Sequence, residues 1–300
     1  MSVIFEQVVI LFTFIIIGYI LSKKKIINCE HSKLLSALVV YIFLPSKVFK
    51  TFSVNFTSEY ITKNYSLLVI SLIVLAAVLT MAHFVSKLFS DDPYKRNVYK
   101  YMLIVPNFGY FGYALAEMLY GSEFLLDVIV FGLPVSVYTN TIGFCMLTKT
   151  EISLKKLFQP VIVAIISGAI FGWVGIKIPN ALNQVLDKAS GAMAPVCMLL
   201  TGIAISEFRI KDLLSDKKAY IVSILRLFVI PCVIALILKQ FCSPELVLLS
   251  IMIYAMPCGM NTVVFPKLVG ESCETGAGAA CISAILACIT IPVCVGLFSI

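Results

Sequence analysis

Charged residues make up only 13% of this 300-residue chain, against roughly 25% in soluble domains. That scarcity excludes an ordinary soluble fold. Histidine is scarcer still, with His31 and His83 alone, so zinc or Ser-His chemistry has no constellation to draw on. No G-x-x-x-x-G-K-[ST] loop is present, which excludes direct drive by ATP. Ten cysteines occur without a single C-x-x-C pair. Cys145, Cys197, Cys232, Cys281, Cys288 and Cys294 fall inside apolar runs, where they read as small lipid- or core-facing residues. The first apolar run also lacks the basic leader of a cleaved signal peptide, since its lysines follow it, and is expected to be a retained helix. No enzyme, metal or cofactor is expected.

What is present is hydrophobicity: 60% of residues, with a mean hydropathy of +1.02. The apolar residues come in runs of about 20, the length of a membrane-crossing helix, not in the alternating ten-residue segments of a β-barrel. The fold class expected is therefore an all-α integral membrane protein. Ten spans can be placed near 3–22, 34–52, 65–88, 98–120, 124–147, 158–178, 190–207, 219–241, 245–267 and 275–299. The net charge of +7 lies in the connections and is no nucleic-acid signature. Connections after odd spans are the basic ones: Lys23, Lys24, Lys25 and Lys33; Lys87, Lys95, Arg96 and Lys100; Lys149, Lys155 and Lys156; Arg209, Lys211, Lys217 and Lys218. Those after even spans hold chiefly Lys50, Lys63, Lys177, Lys188 and Lys239. The positive-inside rule puts the odd connections in the cytoplasm and both termini outside the cytoplasmic membrane.

The basic connection near 148–157 divides the spans into five and five, residues 1–150 and 151–300. Because five is odd, a duplicated half would insert upside down. Short echoes agree with duplication: Pro45 and Pro195 early in the second span of each half, and Tyr120-Gly121-Ser122-Glu123 against Val269-Gly270-Glu271-Ser272. The expected architecture is two inverted five-helix repeats.

Two spans, the fourth and the ninth, are interrupted. One carries Val105-Pro106-Asn107-Phe108-Gly109 with Gly112 close behind, the other Met256-Pro257-Cys258-Gly259-Met260-Asn261. Proline cannot donate to the helix ladder and clashes one turn back, and broken backbone survives in a bilayer only where protein or water surrounds it. Such paired interruptions point to a transporter's binding site. The restarted half-helices would turn unpaired N–H groups and positive dipole ends toward the membrane centre, favouring an anion. Pro106, Asn107, Gly109, Gly112, Pro257, Gly259 and Asn261 are the candidate substrate-binding residues. Asn140, in the polar patch Tyr138-Thr139-Asn140-Thr141, either lines the same cavity or makes an interhelical hydrogen bond.

Ionisable residues within or near spans are Glu6, His83, Glu117, Asp127, Arg226, Lys239 and Lys267. Most sit within two turns of a span end, where they are expected to snorkel. Glu117 and Asp127 bracket a short connection, and a proton shared there could couple transport to a proton gradient.

At Gly18-Tyr19-Ile20-Leu21, Val40-Tyr41-Ile42-Phe43-Leu44-Pro45, Asn107-Phe108-Gly109-Tyr110-Phe111-Gly112, Asn140 and Pro257 through Asn261, the sequence resembles the auxin efflux carrier family, which includes bacterial malate and malonate permeases. The resemblance runs over essentially the whole chain. It implies a scaffold of spans 1, 2, 6 and 7 and a moving transport domain of spans 3–5 and 8–10. The broken spans 4 and 9 would cross at the site of a small organic anion, carried by elevator-type movement. Elevator carriers often form homodimers through their scaffolds. One departure is Tyr113, where many members have proline; another is that His83 is a poor match for the charged third-span residues of plant carriers. The rival readings are a sodium-coupled symporter of the bile-acid type and a membrane receptor without transport.

Overall fold

The computed structural model describes residues 2–27, 29–151, 160–209, 216–271 and 274–298. Lys155, Lys156, Lys211 and Ser272 lie outside them, as do the side chains of His31, Lys33 and Lys267.

Among the described residues the chain is helical, with no strand longer than one isolated bridge. In order the helices are α1 (Ser2–Lys23), α2 (Cys29–Leu38), α3 (Leu44–Asn55), α4 (Ser58–Asn64), α5 (Ser66–Val85), α6 (Pro93–Ile104), α7 (Tyr113–Tyr138) and α8 (Phe144–Thr148). There follow α9 (Pro160–Val174), α10 (Asn180–Ser206), α11 (Lys217–Ile224), α12 (Ile230–Leu238), α13 (Pro244–Tyr254), α14 (Asn261–Leu268) and α15 (Glu274–Phe298). Wider π-turns join several of them: Val39–Phe43, Phe108–Gly112, Thr139–Gly143 and Leu225–Val229. Among the described residues seven helices are long and apolar enough to cross a membrane, while α9 and α13 are shorter apolar helices. One of the seven, Phe108–Thr148, runs 41 residues but is broken at Gly121, whose φ of 84° and ψ of −174° no helix accommodates. Ile16, Leu72, Ile73, Val163 and Leu236 lie exposed on these helices. Large apolar faces of that kind, on helices of this length, belong against lipid. The protein is a multi-pass membrane protein.

Packing divides the helices into two groups. α1 lies along α10, α3 lies along α9, and α10 also meets α3. These contacts are close because glycines make them: a Cβ on Gly202 would come 1.9 Å from the Ile15 carbonyl oxygen, and one on Gly18 would come 2.2 Å from that of Leu199. Gly168 and Gly172 of α9 play the same part against the carbonyls of Phe49 and Phe52, at 2.7 and 2.5 Å. Between apolar helices in lipid, small residues four apart permit the backbone approach that drives association. The second group surrounds the interrupted helices: α5 packs on α7, α12 on α13, and α11 and α14 on α15. Its centre is the most deeply buried part of the molecule, with Tyr101 through Ile104 and Ile251 through Met256 all fully enclosed.

Candidate functional site

Both interrupted helices begin in the same way. Asp92 accepts a hydrogen bond from the Lys95 amide at 2.7 Å, with Pro93 in the first turn, and Ser243 accepts from the Leu246 amide at 3.4 Å, with Pro244 in the first turn. A side-chain cap followed by proline is a strong helix start. Each helix then runs inward only 12 or 11 residues, to Ile104 and to Tyr254.

The two breaks meet. Pro106 and Cys258 form an antiparallel bridge. The Asn107 amide donates to the Pro257 carbonyl at 2.8 Å, and the Gly259 amide donates to the Val105 carbonyl at 3.3 Å. Each interruption thereby supplies partners for backbone groups that the other leaves open, which is how a polar seam survives at membrane depth. The Cys258 amide, one residue further, donates to the Ser283 hydroxyl of α15 at 2.9 Å.

The restarted segments lead away from this seam. Phe111 and Gly112 amides both donate to the Asn107 carbonyl, at 3.0 and 3.2 Å. The Asn107 side chain is buried and makes no capping bond to the helix it heads. Opposite, Thr262 donates its hydroxyl to the Gly259 carbonyl at 2.9 Å, steadying the start of α14. Gly112 and Gly259 sit where a Cβ would press at 3.2 Å on Met256 and at 3.3 Å on the Val105 carbonyl. Gly109 has open space instead. Pro106, Asn107, Gly112, Pro257 and Gly259 are thus brought together.

Asn261 follows the second interruption directly, and Asn140 sits next to Thr139 in the π-turn Thr139–Gly143. The buried hydroxyl of Tyr101 reaches toward the side chains of Asn261 and of Thr139, the residue before Asn140, yet makes no aligned hydrogen bond. Asn140 donates to the Ser136 carbonyl at 2.9 Å, one turn back in α7.

The two candidate proton carriers take separate partners. Glu117 is ion-paired with Lys47, a nearly buried lysine on α3, and Asp127 accepts from the Tyr60 hydroxyl at 2.5 Å. Burial first, and then that hydrogen bond, push the Tyr60 phenol well above its usual range, so it remains a donor. Lys50, one turn from Lys47, pairs with Asp187 of α10.

Two residues depart from what the sequence leads one to expect. Arg226, one of the ionisable residues most of which were expected to snorkel, is fully buried beneath the seam: it lies on the helix face that Ala219, Val222, Ser223 and Ile230 also bury. Lys47 escapes sequence reasoning, although a lysine inside one apolar run and a glutamate inside another are a signal for pairing. Glu6, His83 and Lys239 are exposed.

Interrupted helices meeting inside an apolar bundle are the arrangement expected of a membrane transport protein. A family model described as "Membrane transport protein" matches residues 3–153 and 144–295, and the chain belongs to this family, that of the auxin efflux carriers. It is similar to an uncharacterized transporter of Methanocaldococcus jannaschii, 26% identical over 216 residues, covering 69% of this chain and 70% of the relative. An uncharacterized transporter of Escherichia coli K12 is 21% identical over 292 residues, 92% of either chain. One from Methanothermobacter thermautotrophicus is 25% identical over 244 residues, 77% of this chain and 76% of the relative.

Proposed function

We propose that this membrane transporter is a secondary carrier that moves a small organic anion, such as a carboxylate, across the cytoplasmic membrane by elevator-type alternating access. The observation that carries the reading is the mutual bridge of the two interruptions, with buried Asn107 at the head of one restarted helix and Asn261 at the head of the other. Two positive helix ends at one place favour a negative guest.

The ten-span inverted repeat accounts for the packing. Span 1 corresponds to span 6 and span 2 to span 7 under such a repeat. The contact of α1 with α10 is then the counterpart of that of α9 with α3, and glycines mediate both. These four spans would form the fixed scaffold and the remaining six the moving body. Lys47 paired with Glu117 would hold one against the other at one end of the movement. Each of Glu117 and Asp127 already has its own donor, so a proton shared between them is not part of the proposal.

Reconstituted protein should show saturable counterflow of labelled mono- or dicarboxylates without a sodium gradient. Asn107→Ala and Asn261→Ala should each lower uptake about 10- to 100-fold, the scale of a lost hydrogen bond to a charged group, while remaining monodisperse. Full transport by both variants would remove the site from the crossing.

A further inference from the structure

Arg226 is the largest of the fully buried side chains. Part of its guanidinium is engaged, since Nη1 donates to the Leu103 carbonyl at 3.1 Å. That carbonyl lacks its helical partner, because the amide four residues on belongs to Asn107 and crosses to Pro257. A cation at the end of α6 also suits the negative pole of the helix. The guanidinium carbon lies 5.6 Å from the centre of the Tyr254 ring, at the end of the other interrupted inner helix.

Capping one carbonyl does not require a charge. Arginine keeps its charge in a protein interior, and enclosing it without a counter-charge is strongly unfavourable. Among the described residues no acidic side chain is paired with it; the ion pairs there engage Lys47, Lys50 and Lys149. Its Nε and Nη2 have no hydrogen-bond partner. Those two nitrogens share one edge of the planar group, the edge that receives a carboxylate through two parallel bonds. The hydroxyl of Tyr254, whose ring centre lies 5.6 Å from the guanidinium carbon, is also enclosed and unpartnered. Three enclosed donors without a partner thus belong to two neighbouring side chains near the bridge between the interruptions.

We infer that the Nε–Nη2 edge of Arg226 seats the carboxylate of the transported anion, with the Tyr254 hydroxyl as a further donor. This rests on the reading of the protein as an organic-anion carrier and specifies its substrates as carboxylates. Arg226 is then a specificity-determining residue: it selects a planar, ionised carboxyl group over its neutral amide.

The test compares wild type, Arg226→Gln, Arg226→Lys and Tyr254→Phe in liposomes, each offered a labelled carboxylate and competed with the matching carboxamide. Wild type should prefer the carboxylate. Arg226→Gln should raise the apparent KM at least about 30-fold, the scale for truncating a buried charge pair, and lose that preference. Arg226→Lys should keep the preference at weakened affinity, and Tyr254→Phe should raise KM with the preference intact. Should Arg226→Gln fail to fold, Arg226→Lys and Tyr254→Phe carry the test, and unchanged KM in both overturns the assignment. An Arg226→Gln protein with unchanged KM and preference overturns the seat at Arg226 while leaving anion transport standing. Wild-type protein that carries none of the carboxylates overturns both.

Discussion

Replacing Gly202 by alanine adds one methyl group to a place with no room for it. The new Cβ would lie 1.9 Å from the Ile15 carbonyl oxygen and 2.7 Å from the Tyr19 amide nitrogen. Carbon and carbonyl oxygen settle at about 3.3 Å or beyond, so α1 and α10 must part by roughly 1.4 Å at that turn. A gap of 0.5–1 Å already forfeits about a quarter to a half of each dispersion contact. The obstruction is backbone rather than a flexible side chain, so the upper end of the overpacking range applies, about 3 kcal/mol. In a chain of this size that lowers the melting temperature by roughly 6–12 °C. Gly191, on the same helix, supplies the contrast: a Cβ there meets nothing within 4 Å. Gly191→Ala should stabilise the protein by about 0.4–1 kcal/mol, because alanine restricts the unfolded chain and suits a helix interior. Both variants can be followed by thermal unfolding of detergent-purified protein, read as loss of the monodisperse peak. Equal melting of Gly202→Ala and wild type would refute the close approach of α1 and α10, and a loss in Gly191→Ala as large as that in Gly202→Ala would refute its steric origin.

Two further outcomes follow from single contacts. Glu117→Gln strands the nearly buried Lys47 charge and should cost about 1–3 kcal/mol of thermal stability, less than a fully enclosed pair because the Glu117 side chain is 35% exposed. Lys47→Met combined with Glu117→Leu should recover most of that loss, and a double variant no better than the single would argue against the pair. Ser283→Ala removes the acceptor of the buried Cys258 amide and should destabilise by about 1–3 kcal/mol, measured in the same melting assay; no change would mean the amide has another acceptor.

The interruptions were legible in the sequence because proline announces itself: Pro106 and Pro257 can donate no amide, wherever the surrounding chain folds. Membrane class followed just as directly from the length of the apolar runs. The pairing of the two seams was not legible at the level of residues. Which carbonyl faces which amide depends on how far each inner helix runs, and the caps at Asp92 and Ser243 set that jointly with tertiary packing. Arg226 was legible as a charge but not as a buried one. Its distance from a span end allowed it to reach water, and the packing of the bundle decides that the face it shares with Ala219, Val222 and Ser223 turns inward. The Tyr101 and Tyr254 hydroxyls were invisible for a plainer reason, since tyrosines are common in apolar helices and nothing in their neighbours marks an unpartnered one.

The bridge between Pro106 and Cys258 has a consequence for how the chain is made. Its two strands are synthesised roughly 150 residues apart. When the first interrupted helix enters the bilayer, the Val105 carbonyl and the Asn107 amide have no partner within their own half. They acquire one only when the segment carrying Pro257 and Gly259 arrives. Until then those two backbone groups lack the partners they have in the folded protein, and the C-terminal half is what supplies them.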